Sequence, residues 1–238
     1  MSEISTPLTN SPVAASSNDL NKLRAAVLGA NDGIVSTAGI VLGVAGAAAT
    51  KEGIVIAGIA GLVSGAISMA AGEFVSVSSQ RDSEHAFLTK RRNHISKNHD
   101  SIADELVEIY QAKGFSKKTA VQAAHELKEK GLLNKELEKE SGIDPDDISN
   151  PWSAAIASAV AFTAGAAIPL AAMAFAPDDL RVVLTAVAVL ISLVLTGTLS
   201  ARAGQANKTR AALRVVVWGI GAMAITYAIG HLIGTAIG

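Results

Sequence analysis

Two acids stand where apolar sequence should run unbroken. Asp32 falls inside Ala25–Thr50, and Glu73 inside Ile54–Ser79. Each stretch is otherwise almost free of charge between Arg24 and Arg81, with only Lys51 and Glu52 at the break between them. An ionised carboxylate in hydrocarbon costs several kcal/mol unless it faces a partner, a cation or water. Met69 lies four residues before Glu73, so the two share a helix face. A carboxylate oxygen beside a thioether sulfur suits a transition metal of intermediate softness, such as Fe²⁺, Mn²⁺ or Co²⁺, better than Mg²⁺ or Ca²⁺. A carboxylate can also take up a proton when such an ion leaves. For Met69, spacing alone favours simple packing.

These residues need long helices to place them. Read as one helix, Ala25–Thr50 has 26 residues, or ~39 Å at the helical rise, against a hydrocarbon core of ~30 Å. Asp32 lies eight residues past Arg24, ~12 Å along the axis, and so inside the bilayer. The alternative is a turn at Asn31-Asp32-Gly33, which leaves 17 residues from Ile34, at the lower limit for a span. Helix two returns from Ile54 and reaches Met69 after ~22 Å and Glu73 after ~28 Å. Met69 is thus expected near the depth of Asp32, with Glu73 nearer the side from which helix one entered.

Three more uncharged stretches follow at Trp152–Ala176, Val182–Ala201 and Val215–Gly238, the first containing Pro169 and the last His231. With half of 238 residues hydrophobic, the composition is that of a membrane bundle and not of an ordinary soluble domain. The expected fold is all-α, a polytopic membrane protein with five transmembrane helices. A net charge of −1 gives no case for nucleic acid, and zero Cys excludes disulfides, thiolate metal sites and cysteine nucleophiles. Gly29/Gly33, Gly39/Gly43 and Gly61/Gly65 are each four apart, the spacing that lets membrane helices approach closely.

Between the second and third spans the character changes. Residues 81–150 hold 12 Lys/Arg, 14 Asp/Glu and four of the five His, so this insert is aqueous. Arg81–Ser96 has no breaker and should prolong helix two. Ser101–Lys113, Lys117–Lys130 and Leu132–Ser141 read as short helices, the second capped by Ser116. Glu105/Glu108, Glu126/Glu129 and Glu136/Glu140 share helix faces. A solvated charged surface explains most of them, and a divalent-cation cluster with His85, His94, His99 and His125 is the functional reading.

The organisation is therefore a cytosolic tail (1–22, rich in Ser, Thr and Asn), helices one and two (23–80), a small helical insert (81–150) and helices three to five (151–238). Basic residues collect in the tail, the insert and the connection carrying Arg202, Lys208, Arg210 and Arg214. That places all three in the cytosol. Residues 1–20 show no basic start followed by an apolar core, and so do not read as a signal peptide. The expected membrane is the plasma (inner) membrane of a bacterium, or a vacuole-type membrane in a eukaryote.

LRAAVLGANDGIVSTAGIVLGVAGA (23–47) and AGLVSGAISMAAGEFVSVSSQRDSE (60–84) resemble the two signature segments of the vacuolar iron transporter family, in its bacterial and plant nodulin-like branch. GAAIPL (165–170) and GAMAITYAIGHLIG (221–234) resemble its third and last helices. The resemblance implies a secondary transporter, not an enzyme, that exports cytosolic Fe²⁺ or Mn²⁺ in exchange for protons. Co²⁺ and Zn²⁺ are further ions of the same class, and no resident cofactor is implied. It also implies a homodimer whose first helices line the ion path. Asp32 and Met69 fall on the family's pathway Asp and Met, and Glu73 on the Glu of the nodulin-like motif. Where some members carry a further acid eight residues before the Met, this chain has Gly61. Glu105, Glu108 and Glu140, with Glu84 and His85, are the candidates for a metal-binding insert. The first insert helix departs from its Glu-rich relatives, with Arg92-Asn93-His94-Ile95-Ser96 in place. The competing expectation is a membrane-anchored metal-binding or sensing protein that transports nothing. No nucleophile, phosphate loop or HExxH spacing favours an enzyme.

Overall fold

The computed structural model describes residues 17–97, 102–130, 135–136, 150–204 and 206–237. Among these, seven helices run in the order α1 (Ser17–Gly46), α2 (Lys51–Lys97), α3 (Ile102–Ala112), α4 (Lys117–Glu129), α5 (Pro151–Phe175), α6 (Arg181–Ala203) and α7 (Lys208–Ile237), and no strand occurs. Five of them, α1, α2, α5, α6 and α7, are long and apolar enough to cross a membrane. The all-α architecture expected from the sequence is the one observed.

The helix termini follow local chemistry. Asn150 caps α5, its Oδ1 accepting from the backbone N–H of Trp152 at 3.0 Å, and Pro151 takes the first helical position, where no N–H is needed. Pro169 lies within α5 and is buried. Gly114, with φ of 96°, follows α3 in the left-handed conformation, and Phe115 N–H closes back on the Tyr110 carbonyl at 3.1 Å. Ser116 caps α4 through the Thr119 N–H at 3.2 Å, as the sequence led us to expect.

Helix α1 is the most enclosed of the five and α2 the least. The main buried cluster joins Ile34, Ala38, Val41 and Leu42 of α1 to Ile54 of α2, Met173 of α5, Val189 and Leu193 of α6 and Met223 of α7. Backbones reach α1 from two sides. Toward α5, a methyl at Gly29 would lie 2.5 Å from the Ser158 carbonyl, and one at Gly33 would overlap the Phe162 carbonyl. Gly165 of α5 answers against the Ala30 carbonyl. Toward α7, a methyl at Gly46 would lie 2.6 Å from the Tyr227 carbonyl, and Gly230 fits against Gly43.

The third expected pair behaves otherwise. Methyls at Gly61 and Gly65 of α2 would meet the side chains of Ile40 and Phe162, not a neighbouring backbone. These glycines make room for large residues that cross from α1 and α5. Meanwhile Ile56, Ile59, Val63 and Ile67 line an exposed apolar face of α2.

Helices α3 and α4 pack on each other around Leu106 and Ala124, with Val107, Ile109, Tyr110 and Leu127 beside them. Tyr110 donates to Glu136 at 3.0 Å. Leu132–Ser141, expected as a further helix, lies outside the described residues except for Lys135 and Glu136.

The glycine contacts give an expected outcome. Gly33→Ala forces a methyl into the α5 backbone and should cost about 1–3 kcal/mol, read as a lowered thermal midpoint of the purified protein. Gly221→Ala, where nothing lies within 4 Å, should leave the midpoint unchanged.

Candidate functional site

Asn31, Asp32 and Gly33 lie within α1, which runs unbroken from Ser17 to Gly46. The turn that these residues also allow does not form. Asp32 therefore sits mid-helix, half-buried, two turns beyond Arg24. Ser36 donates its hydroxyl to the Asp32 backbone carbonyl at 2.6 Å, which leaves the Asp32 carboxylate free of that bond. Among the described residues no ion pair reaches this carboxylate.

Asp32 opens onto a cavity of about 320 Å³ between α1 and α2. Ser36 and Ile40 continue the α1 wall; Ser64, Ser68 and Met69 form the α2 wall with Gly61 and Gly65, and Phe162 of α5 completes the lining. The polar inventory is one carboxylate, one thioether and three hydroxyls. Asp32 and Met69, 37 positions apart in the chain, thus meet across one space, at the matching depth expected from the helical rise. The serines were not singled out from the sequence. Their signal was there: Ser64 and Ser68 are four apart and share a face with Gly61, Gly65 and Met69. Gly61 lies in this lining, where a methyl would run into the Ile40 side chain.

Glu73 does not line this cavity. One turn beyond Met69, it is only about 9% exposed, and Arg24 Nη2 donates to its Oε1 at 3.2 Å. Arg24 itself is 57% exposed. The pair joins the entry of α1 to α2 across 49 positions of sequence, and the arginine is the partner that a membrane carboxylate requires. Near it, Phe74 and Trp152 pack with their rings tilted by 56° and 4.7 Å between centroids, tying α2 to the start of α5.

The insert candidates are more dispersed. On the outer part of α2, Glu84 accepts from Gln80 at 2.9 Å, and His85 Nε2 lies 3.4 Å from Arg81 Nε. Glu105 and Glu108 sit on α3, half-buried and exposed respectively. His125 faces Glu129 of its own helix at 3.6 Å. Among the described residues no three His, Asp or Glu side chains gather closely enough to hold a metal ion. Glu140 and His99 lie outside the described residues, as does the side chain of His94.

Residues 23–231 match the VIT family. The chain belongs to that family. It is 38% identical over 215 residues to a vacuolar iron transporter homolog 2.1 of Arabidopsis thaliana, covering 90% of this chain and 82% of the relative. It is also 38% identical to a vacuolar iron transporter of Acanthamoeba castellanii, over 88% of this chain and 78% of that protein. A vacuolar iron transporter homolog 1 of Oryza sativa matches at 36% over 89% and 74%. The family match spans all five long apolar helices, and this VIT-family chain is a multi-pass membrane protein.

The Arg24–Glu73 pair sets up a measurable coupling. A double-mutant cycle with Arg24→Gln and Glu73→Gln, read by unfolding of the purified protein, should give about 1–2 kcal/mol for a charge-assisted hydrogen bond with one partner buried. Strict additivity would mean that the pair contributes nothing.

Proposed function

We propose that this chain is a secondary transporter that carries Fe²⁺ and Mn²⁺ out of the cytosol in exchange for protons, with Co²⁺ and Zn²⁺ as further ions of the same class. The observation that carries the reading is the half-buried, unpaired Asp32 facing Met69 across a cavity inside the membrane helices. A helix used only as an anchor has no need of such an acid. One relative is named as a vacuolar iron transporter and others as homologs of one, which supports the same cargo here.

In this reading the ion leaves water to meet Asp32 as its charged ligand. The hydroxyls of Ser36, Ser64 and Ser68 replace part of its hydration, and the Met69 thioether favours ions softer than Mg²⁺ or Ca²⁺. Gly61 adds no second acid, so each protomer offers the ion one negative charge at this level. A modest charge complement lets the ion leave as well as enter. When it leaves, Asp32 takes a proton, and the return of that proton-loaded state couples the two gradients. Glu73 stands one turn nearer the cytosol, held by Arg24, where an arriving dication competes with the guanidinium for the carboxylate.

The protein acts as a homodimer, with the first helices of both copies lining the path. The cavity's open side and the exposed apolar face of α2 are consistent with a partner there. The tail, the insert and the α6–α7 connection face the cytosol, following their basic residues. Glu84, His85, Glu105, Glu108 and Glu140 of the insert are its metal-capturing candidates.

Metal uptake into proteoliposomes with a pH gradient tests this, with Fe²⁺ and Mn²⁺ in parallel. Asp32→Ala should lower flux of both ions at least about tenfold while the protein keeps its wild-type thermal midpoint. Met69→Leu, a volume-conserving change, should lower flux less. Wild-type flux in the Asp32→Ala protein, or no flux from folded wild type, would overturn the reading and turn attention to the insert as a metal-binding device.

A further inference from the structure

On another side of α1 lies a larger groove, about 670 Å³, between α1, α6 and α7. Its walls are largely apolar, with Val27 and Leu28 of α1 facing Val215 of α7. Two arginines also line it, Arg24 of α1 and Arg214 of α7. Arg24 spends one N–H on Glu73, and a guanidinium has five. Arg214 is exposed and has no ion pair among the described residues.

The surroundings carry the same sign. From Arg202 to Arg214 the sequence holds Arg202, Lys208, Arg210 and Arg214 and not one acid. Arg24 and Asn31, which both line the groove, are seven residues apart, so it runs ~10 Å along α1. Asn31 Oδ1 is buried there without a hydrogen-bond partner, and Ser200 stands opposite on α6 beside Thr196, whose hydroxyl is donated to the Ser192 and Leu193 carbonyls.

We propose that this groove is a binding site for an anionic phospholipid. The phosphate lies between Arg24 and Arg214, and the ester oxygens of the glycerol region accept from the Ser200 hydroxyl and the Asn31 amide N–H. The first part of the acyl chains follows the apolar walls. A soluble anion has no use for such walls, and a neutral lipid has no use for two arginines at their end. Basic pockets between membrane helices near the cytoplasmic surface take anionic headgroups in just this way. The assignment rests on the five helices crossing a membrane, not on which ion is carried.

The test is native mass spectrometry of the full-length protein in mild detergent, offered phosphatidylglycerol and phosphatidylcholine of matched chains in equal amounts. The wild type is expected to retain phosphatidylglycerol in preference. Arg214→Gln should reduce that retention about fivefold, the effect of one basic group at an anionic headgroup. Arg210→Gln, on the same basic connection but outside the groove, should leave it unchanged. Should Arg214→Gln fail to fold, Leu28→Trp, at an exposed wall position, fills the groove and is expected to expel the lipid with all charges kept. Equal retention of the two lipids, or equal loss from both arginine variants, would overturn the proposal. So would displacement by millimolar inorganic phosphate, which would make the groove a site for a soluble anion. Undiminished lipid in Leu28→Trp would do the same.

Discussion

Helices surrounded by lipid gain little from burying apolar surface against one another, because the solvent they leave is itself apolar. Close approach must hold them instead, and in this protein it holds α1. Glycines on two of its sides admit the backbones of α5 and α7, through Gly29 and Gly33 on one and Gly43 and Gly46 on the other. One of the two intramembrane acids and the arginine that holds the other hang from this helix. Asp32 is fixed between two such approaches, and Arg24 is carried at its entry.

That placement gives the two intramembrane acids different characters. Glu73 is buried and occupied by a guanidinium, which makes it an element of structure until something displaces its partner. Asp32 has no such partner and faces space, so its charge is available. Two carboxylates a few turns apart are thus separated into a held group and a free one by what lies beside each. The difference comes from Arg24 standing at the mouth of α1, and not from the acids themselves.

Much of this was legible in the chain. The five apolar stretches, the unbroken passage of α1 through Asn31-Asp32-Gly33 and the prolongation of α2 past Arg81 follow from length and composition alone. The shared depth of Asp32 and Met69 follows from the rise per residue in two antiparallel helices, and their facing one cavity does not. What spacing cannot say is which faces of two helices meet. Arg24 and Glu73 are 49 positions apart, and no periodicity pairs them. Likewise Gly61 and Gly65 carry the same four-residue spacing as Gly29 and Gly33, yet they receive side chains where the others receive backbone. The insert was least legible, because carboxylates three or four apart look the same whether they gather around an ion or face water. Glu84 and His85 stand on α2 and Glu105 and Glu108 on α3, with no gathering of them among the described residues.

Helix α2 runs 47 residues without interruption, a rod of ~70 Å. It begins beside α1, carries Met69 and Glu73, and ends in the polar insert. A rod without a joint acts as a lever. Lys97, 24 residues past Glu73, lies ~36 Å along the axis, so a tilt of about 10° at Glu73 sweeps the far end through ~6 Å by the same rise. A small rearrangement around the Arg24–Glu73 pair is thereby enlarged at the aqueous end, and a load placed on the insert is felt, in reduced amplitude, at Met69.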